Sequence, residues 1–197
     1  MRILVFGGSF NPVHIGHLFM AQEVAHEFSY EKVVFVPAFS PPHKALTEDP
    51  GAKLRLKMLN MAIGKDRMYK LDHCEIDRKG QSYTIDTIRH IIDSYDIDGK
   101  PGLLIGADLV EGFARWKEPE TISRLCDIIV ARRNNQPCAL AYPHKIAGNR
   151  QINISSTDIK ERIVSGRPWT PLVPKPVADF IKQKGLYGAF PCLGESK

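Results

Sequence analysis

Apolar positions along this chain fall into two patterns, short continuous runs and stretches spaced at helical intervals, and the two alternate. "RILVF" (2–6) is a continuous run closed by Gly7-Gly8 and reads as a buried strand. "GHLFMAQEVAHEF" (16–28) carries Leu18, Ala21, Ala25 and Phe28 at helical spacing, and "KVVFVPAF" (32–39) is a second β-rich run. Strand, helix, strand within forty residues is a βαβ unit, so the two strands are expected to be parallel. "AKLRLKMLNMAIG" (52–64) predicts a helix, "MYKLDHCEIDR" (68–78) a weaker strand, and "TIDTIRHIIDSY" (84–95) a helix with Ile85, Ile88, Ile92 and Tyr95 on one stripe. "GLLIGAD" (102–108) reads as a buried strand. In "LVEGFARW" (109–116) the pattern puts Leu109, Phe113 and Trp116 on one face. Pro119 suits the first turn of a helix running to Leu125. "DIIVARR" (127–133) predicts a fifth strand and "QINISS" (151–156) a sixth.

Beyond that point the alternation stops. "STDIKERIVSG" predicts a short helix ending at Gly166, "RPWTPLVPKP" a proline-rich connector, and "VADFIKQKG" a last helix closed by Gly185. The pattern predicts an α/β fold: a Rossmann-like, doubly wound parallel sheet with a small C-terminal helical extension, binding ligands beyond the strand C-termini. One domain is expected over 1–187, its helical part from about 155 to 187, with 188–197 a flexible tail.

Composition sharpens this picture only in part. At 197 residues the chain is long enough for one well-buried core, and 43% hydrophobic with 25% charged residues is ordinary for a globular protein. No apolar run approaches membrane-spanning length, and Met1-Arg2 leads straight into "ILVFGG", too short for a signal-peptide core. Cys74, Cys126, Cys138 and Cys192 are scattered without a C-x-x-C pair, which argues against a zinc site or disulfide framework and for a cytoplasmic location. The formal charge of +5 suggests anionic ligands. With no block of Lys and Arg, small phosphorylated molecules are favoured over nucleic acid.

The stretch "VFGGSFNPVHIGHLFMAQ" (5–22) is where chemistry concentrates. A strand entering Gly7-Gly8 and followed by a helix lays out a phosphate site, because glycines allow close main-chain approach and a helix N-terminus offers N–H groups. The spacing G-x-G-x-x-G is absent, so hydride transfer is not indicated. Instead His14 and His17 bracket Gly16 at the helix mouth, where imidazoles can donate to phosphate oxygens. A lone histidine there would be read as a cap. His26 and His90 fall within helices and read as solvated faces.

"GGSFNPVHIGH" resembles the signature of the nucleotidylyltransferase superfamily, to which the class I aminoacyl-tRNA synthetases with their H-I-G-H motif are distantly related. "SPPHK" (40–44), "DRKGQSYTIDT" (77–87), "GADLVEGFARW" (106–116), "ISSTDIKERI" (154–163) and "LVPKPVADFIKQKGLY" (172–187) follow in the order seen in bacterial nicotinate-nucleotide adenylyltransferases. The resemblance covers nearly the whole chain, while a synthetase would need further domains and a K-M-S-K-S segment. It implies the nucleotidylyltransferase fold and transfer of AMP from ATP to nicotinate mononucleotide, giving deamido-NAD and pyrophosphate.

Such a reaction needs no nucleophilic side chain, since the attacking phosphate is already anionic; donors that align two anions suffice. By resemblance, His14, His17 and Ser9 are the catalytic contacts to ATP phosphates, and Gly7, Gly8, Phe10 and Gly16 complete their cradle. Ser155, Ser156, Thr157 and Lys160 form a second phosphate grip, although the serines equally suit a helix N-cap. Gly106 and Asp108 are expected at the adenosine ribose, with a helix cap as the alternative for Asp108, and Arg133 at the adenine pocket through its backbone. Ser82, Tyr83 and Thr84 are expected to receive the nicotinate carboxylate and Trp116 to stack on the pyridine, unless Tyr83 and Trp116 are core aromatics. Asn11 and Lys44 complete the mononucleotide set, with a solvated surface lysine as the alternative for Lys44. Two positions depart from the family pattern: Lys160, where arginine is usual, and Asn11, where aspartate is frequent. Mg²⁺ is expected through ATP phosphates and water rather than through a carboxylate cluster, with no protein metal ligand. Expected partners are the two small substrates, with neither membrane nor nucleic acid; a homo-oligomer is left open. The alternatives are transfer to nicotinamide mononucleotide or phosphopantetheine, or a non-catalytic nucleotide sensor on the same fold.

Overall fold

A computed structural model describes residues 1–42, 48–132 and 139–189. Six parallel strands form one sheet in the order β3-β2-β1-β4-β5-β6, which is the doubly wound arrangement the alternating pattern predicts. The strands are β1 (Ile3–Gly8), β2 (Lys32–Pro37), β3 (Tyr69–Leu71), β4 (Gly102–Gly106), β5 (Asp127–Ala131) and β6 (His144–Ile146). Side chains of the four longer strands alternate between two cores. Leu4, Phe6, Val33, Phe35, Leu104 and Ile129 face one layer, and Ile3, Val5, Val34, Val36, Leu103 and Ile128 face the other. Helices α1 (Ile15–Glu27) and α2 (Ala52–Ile63) bury Ala21, Val24, Met58 and Leu59 in the first core. After the short α3 (Cys74–Arg78), helices α4 (Thr84–Ser94) and α5 (Pro119–Leu125) bury Ile85, Ile88, Ile91 and Ile122 in the second.

The C-terminal helices α6 (Ser156–Val164) and α7 (Lys175–Lys184) are not a separate appendage. Ile159, Ile163, Val177, Phe180 and Ile181 join the same core as α1 and α2. Helix α7 ends on Gly185 in the left-handed conformation. Just beyond it the buried Tyr187 hydroxyl donates to Asn11 Oδ1 at 2.8 Å, tying the end of the fold to the glycine-rich turn.

Four sequence expectations need correction. The stretch 151–155 is not a strand; the sixth strand is His144–Ile146, too short to carry a period-two signal. Residues 151–155 instead run along a cleft, with Ile152 exposed and Ile154 packed on the core, so one apolar pair imitated alternation. "MYKLDHCEIDR" is strand only as far as Leu71. Asp72 Oδ1 then accepts the Cys74 N–H at 2.9 Å, and this turn starts α3. "LVEGFARW" is two 3₁₀ turns, Ala107–Leu109 and Phe113–Arg115, so Leu109 is 39% exposed while Phe113 is fully buried. His90 is also not simply solvated: its Nε2 lies 3.3 Å from Asp72 Oδ2.

Candidate active site

The chain reverses its progress across the sheet between β1 and β4, and there a cleft of about 500 Å³ opens at the strand C-termini. Gly7, Gly8, Ser9 and Phe10 leave β1 along its floor. A Cβ on Gly8 would sit 3.1 Å from the Phe10 ring, so glycine here lets the ring fold back under the turn. Behind this turn stands Arg55, fully buried on α2. Its guanidinium donates to the carbonyls of Ser9 (2.8 Å), Ala38 (2.7 Å) and Phe39 (3.1 Å), and its Nε pairs with Asp49 Oδ1 at 2.9 Å. One charged side chain thus holds the ends of β1 and β2 at a fixed separation.

Helix α1 starts at Ile15, one residue before the stretch with helical spacing, with His14 as its N-cap. The rings of His14 and His17 stack at 3.6 Å between centroids. The His14 N–H donates to His17 Nδ1 at 3.2 Å, which leaves the neutral His17 ring with its proton on Nε2, the tautomer able to donate to an anion. Both rings line the cleft. Gly16 is needed for the stack, because a Cβ there would come within 3.1 Å of His14 Nδ1.

Opposite, Gly106 ends β4 and Asp108 follows in a 3₁₀ turn. A Cβ on Gly106 would lie 2.4 Å from Asp108 Oδ1, so the carboxylate folds back across the strand end. The Trp116 ring packs on the buried Phe113 with centroids 4.8 Å apart and also lines the cleft. Ser82, Tyr83 and Thr84 form the next wall, where α4 starts from Tyr83 without a side-chain cap. Glu75 of α3, 6% exposed, reaches the same wall. Burial pushes its carboxyl above the usual range, and hydrogen bonds from Ser82 and Thr87 partly offset that.

The remaining rim is built by the segment before α6. Ser155 Oγ accepts the Asp158 N–H at 3.0 Å as the N-cap, and Ser156 Oγ donates to the Pro12 carbonyl at 2.9 Å. Thr157 stands exposed at the cleft edge. Buried Asn149 accepts the Arg132 N–H at 3.0 Å and donates to the Arg132 and Arg150 carbonyls, bracing the backbone next to the cleft.

The cleft therefore gathers Gly7, Gly8, Ser9, Phe10, His14, Gly16, His17, Ser82, Tyr83, Thr84, Gly106, Asp108, Trp116, Ser155, Ser156 and Thr157 from widely separated parts of the chain. It does not gather Asn11 or Lys160. Asn11 is buried behind the turn against Tyr187, and Lys160 is buried with its Nζ 3.6 Å from Glu48. Lys44 and Arg133 lie outside the described residues. Sequence reasoning missed Arg55, Glu75, Thr87 and Asn149. A charged residue amid an apolar helix stripe was the available signal for Arg55; the others look like ordinary polar positions until the chain is folded. Away from the cleft, Asp72, Cys74 and His90 bring their ligand-type atoms within 4.8 Å of one another, and Tyr95 also donates to Asp72 at 2.9 Å. Burial pushes the Cys74 thiol up to about 12, so it stays protonated in this hydrogen-bonded cluster.

A doubly wound sheet with a glycine turn and paired imidazoles at its switch point defines a nucleotidyl-transfer type of site, and the sequence agrees. The cytidylyltransferase-like family model matches residues 5–162, and the chain belongs to that family. Similar proteins carry the name "Probable nicotinate-nucleotide adenylyltransferase". A protein so named from Borreliella afzelii is 38% identical over 188 residues, covering 95% of this chain and 97% of its own. One from Treponema pallidum is 35% identical over 202 residues, covering 95% and 99%. Among solved structures, Plasmodium falciparum nicotinic acid mononucleotide adenylyltransferase complexed with NaAD shares the fold with a TM-score of 0.74 at 16% identity, over 95% of this chain and 97% of that one.

Proposed function

We propose that this chain is an adenylyltransferase that joins ATP and nicotinate mononucleotide into deamido-NAD and pyrophosphate. The observation that carries the reading is the full-length match to relatives named for this activity, 35–38% identical over 95% of the chain. The cleft chemistry is consistent with it. An oxygen of the mononucleotide phosphate attacks the α-phosphorus of ATP in line, a P–O bond forms, and the bond to the β-phosphate bridge breaks as pyrophosphate leaves. Nothing has to be deprotonated first, so aligned donors are enough. His17 and His14 are assigned to ATP phosphates, with the main chain of Gly7–Phe10 as cradle and the start of α6 beside them. Ser155 spends its oxygen on capping and Ser156 its proton on Pro12, so the contribution assigned to this segment is Thr157 and main-chain N–H groups. Asp108 is assigned to the adenosine ribose.

The uncapped start of α4 at Thr84 is assigned to the nicotinate carboxylate, and Trp116 to the pyridine face. Mg²⁺ enters as the counter-ion of ATP and therefore as part of the substrate. The carboxylates lining the cleft among the described residues are Glu75 and Asp108, too few for a protein cage. The cytoplasmic assignment rests on the scattered cysteines, and small molecules are the partners proposed.

Pyrophosphate release from Mg-ATP decides the matter. Nicotinate mononucleotide is expected to support it well, and nicotinamide mononucleotide poorly, because the amide lacks the charge that α4 attracts. Comparable kcat/KM for the two, or faster turnover of phosphopantetheine, refutes the substrate assignment. Nucleotide binding without turnover refutes the enzymatic one.

A further inference from the structure

Glu75 is a buried acid in the wall assigned to the mononucleotide, and the reaction outlined above gives it no part. Its neighbours suggest one. The Thr87 hydroxyl donates to its Oε1, and the Ser82 side chain bonds to the same carboxylate. Ser82, itself buried, then accepts the N–H groups of Phe39 at 2.9 Å and Ser40 at 3.3 Å, while its own N–H donates to the Ser40 carbonyl at 2.9 Å. From the other side, Arg55 grips the carbonyls of Ala38 and Phe39. The backbone leaving β2 is therefore held on its carbonyls by a buried cation and on its N–H groups by a hydroxyl that a buried carboxyl group backs.

We propose that Glu75 is a positioning residue for mononucleotide binding, acting through Ser82 to lock segment 38–40 against the start of α4. The inference rests on the assignment of this wall to the mononucleotide. In its ionised form the carboxylate accepts and never donates, and that form requires the hydroxyls of Ser82 and Thr87 both to point their protons at it. The lone pairs of Ser82 are then left for Phe39 and Ser40. The orientation of both hydroxyls is thereby set by one group, and the wall keeps its shape before ligand arrives. A neutral acceptor-donor such as an amide removes that certainty, because its NH₂ turns one hydroxyl round. Placing an acid here is costly, since burial opposes its charge. An apolar side chain would fill the space more cheaply but could not orient Ser82.

The test compares Glu75→Ala, Glu75→Gln and Ser82→Ala, singly and with Glu75→Ala/Ser82→Ala combined, by steady-state kinetics and by amide hydrogen exchange. Glu75→Ala is expected to raise KM for nicotinate mononucleotide about tenfold or more with KM for ATP within about twofold, and Glu75→Gln to fall between it and the native protein. The double variant should resemble the single ones, because both break the same path. Exchange of the Phe39 and Ser40 amides should quicken in Glu75→Ala more than elsewhere. Equal changes in both KM values, multiplying effects in the double variant, or unchanged exchange at Phe39 and Ser40 overturns the proposal. Should the native protein release no pyrophosphate with nicotinate mononucleotide, the substrate assignment fails by itself, and exchange at Phe39 and Ser40 still decides the clamp.

Discussion

Arg55 offers the sharpest check on how the site is held. The replacement Arg55→Met keeps much of the length and all of the burial but removes every donor. Three main-chain carbonyls, of Ser9, Ala38 and Phe39, lose their partner, and Asp49 loses its ion pair. A buried acceptor left unsatisfied costs about 1–3 kcal/mol. The Asp49 side chain is 22% exposed, so water recovers part of its charge and it adds little. The three carbonyls are not independent, since one loop shift can wet two of them. The expected loss is therefore about 3–5 kcal/mol, the range found when one member of a buried pair is removed. At about 2–4 °C per kcal/mol for a chain of this size, the melting temperature should fall by roughly 10 °C. Urea unfolding with an unchanged m-value measures the free energy directly. Arg55→Lys should lie between the two, because one ammonium cannot span three carbonyls and a carboxylate. A Met variant within about 1 kcal/mol of the native protein would refute the claim that this side chain joins β1 to β2.

Other consequences are equally direct. His17→Ala should lower kcat for pyrophosphate release by roughly 10²–10³-fold, as loss of a donor to developing charge does, beside a smaller loss of stability because the His14 N–H also loses its acceptor; a kcat loss under tenfold contradicts its assignment. Gly106→Ala drives a methyl to within 2.4 Å of Asp108 Oδ1 and must displace that exposed carboxylate, so KM for ATP should rise severalfold with little change in stability; an unaltered KM removes Asp108 from the ATP site. Tyr187→Phe leaves Asn11 Oδ1 buried without its 2.8 Å donor and should cost about 1–3 kcal/mol in denaturant titrations. Burial pushes the Asp72 carboxyl up, but the Cys74 N–H and the Tyr95 hydroxyl outweigh it and hold the group below its ordinary value. A depressed folded pKa stabilises above the unfolded pKa and is lost as pH falls through the folded one, so Asp72→Asn should flatten the acid limb of stability below about pH 4; equal slopes would refute the linkage.

Strand and helix periodicity made the doubly wound sheet legible, because residues such as Ile3 to Phe6 and Leu103 to Ile105 are buried on both faces and must be continuously apolar. The glycine turn and the two histidines were legible for a different reason: they are neighbours in the chain, so their spacing already reports geometry. The three-residue β6 and the five-residue α3 were not, since neither is long enough to repeat its period and neither is continuously apolar as β4 and β5 are. Folding alone decided which polar groups work inward. Asn11, a neighbour of the turn, is drawn behind it by Tyr187, 176 residues away, while Glu75 and Thr87 are brought into one wall with Ser82. Such partnerships depend on distance in space, which a linear pattern encodes only for residues within a turn or two of each other. Sequence by itself thus determined the architecture and the chemistry of the β1 turn, and the tertiary structure decided what holds that chemistry in position.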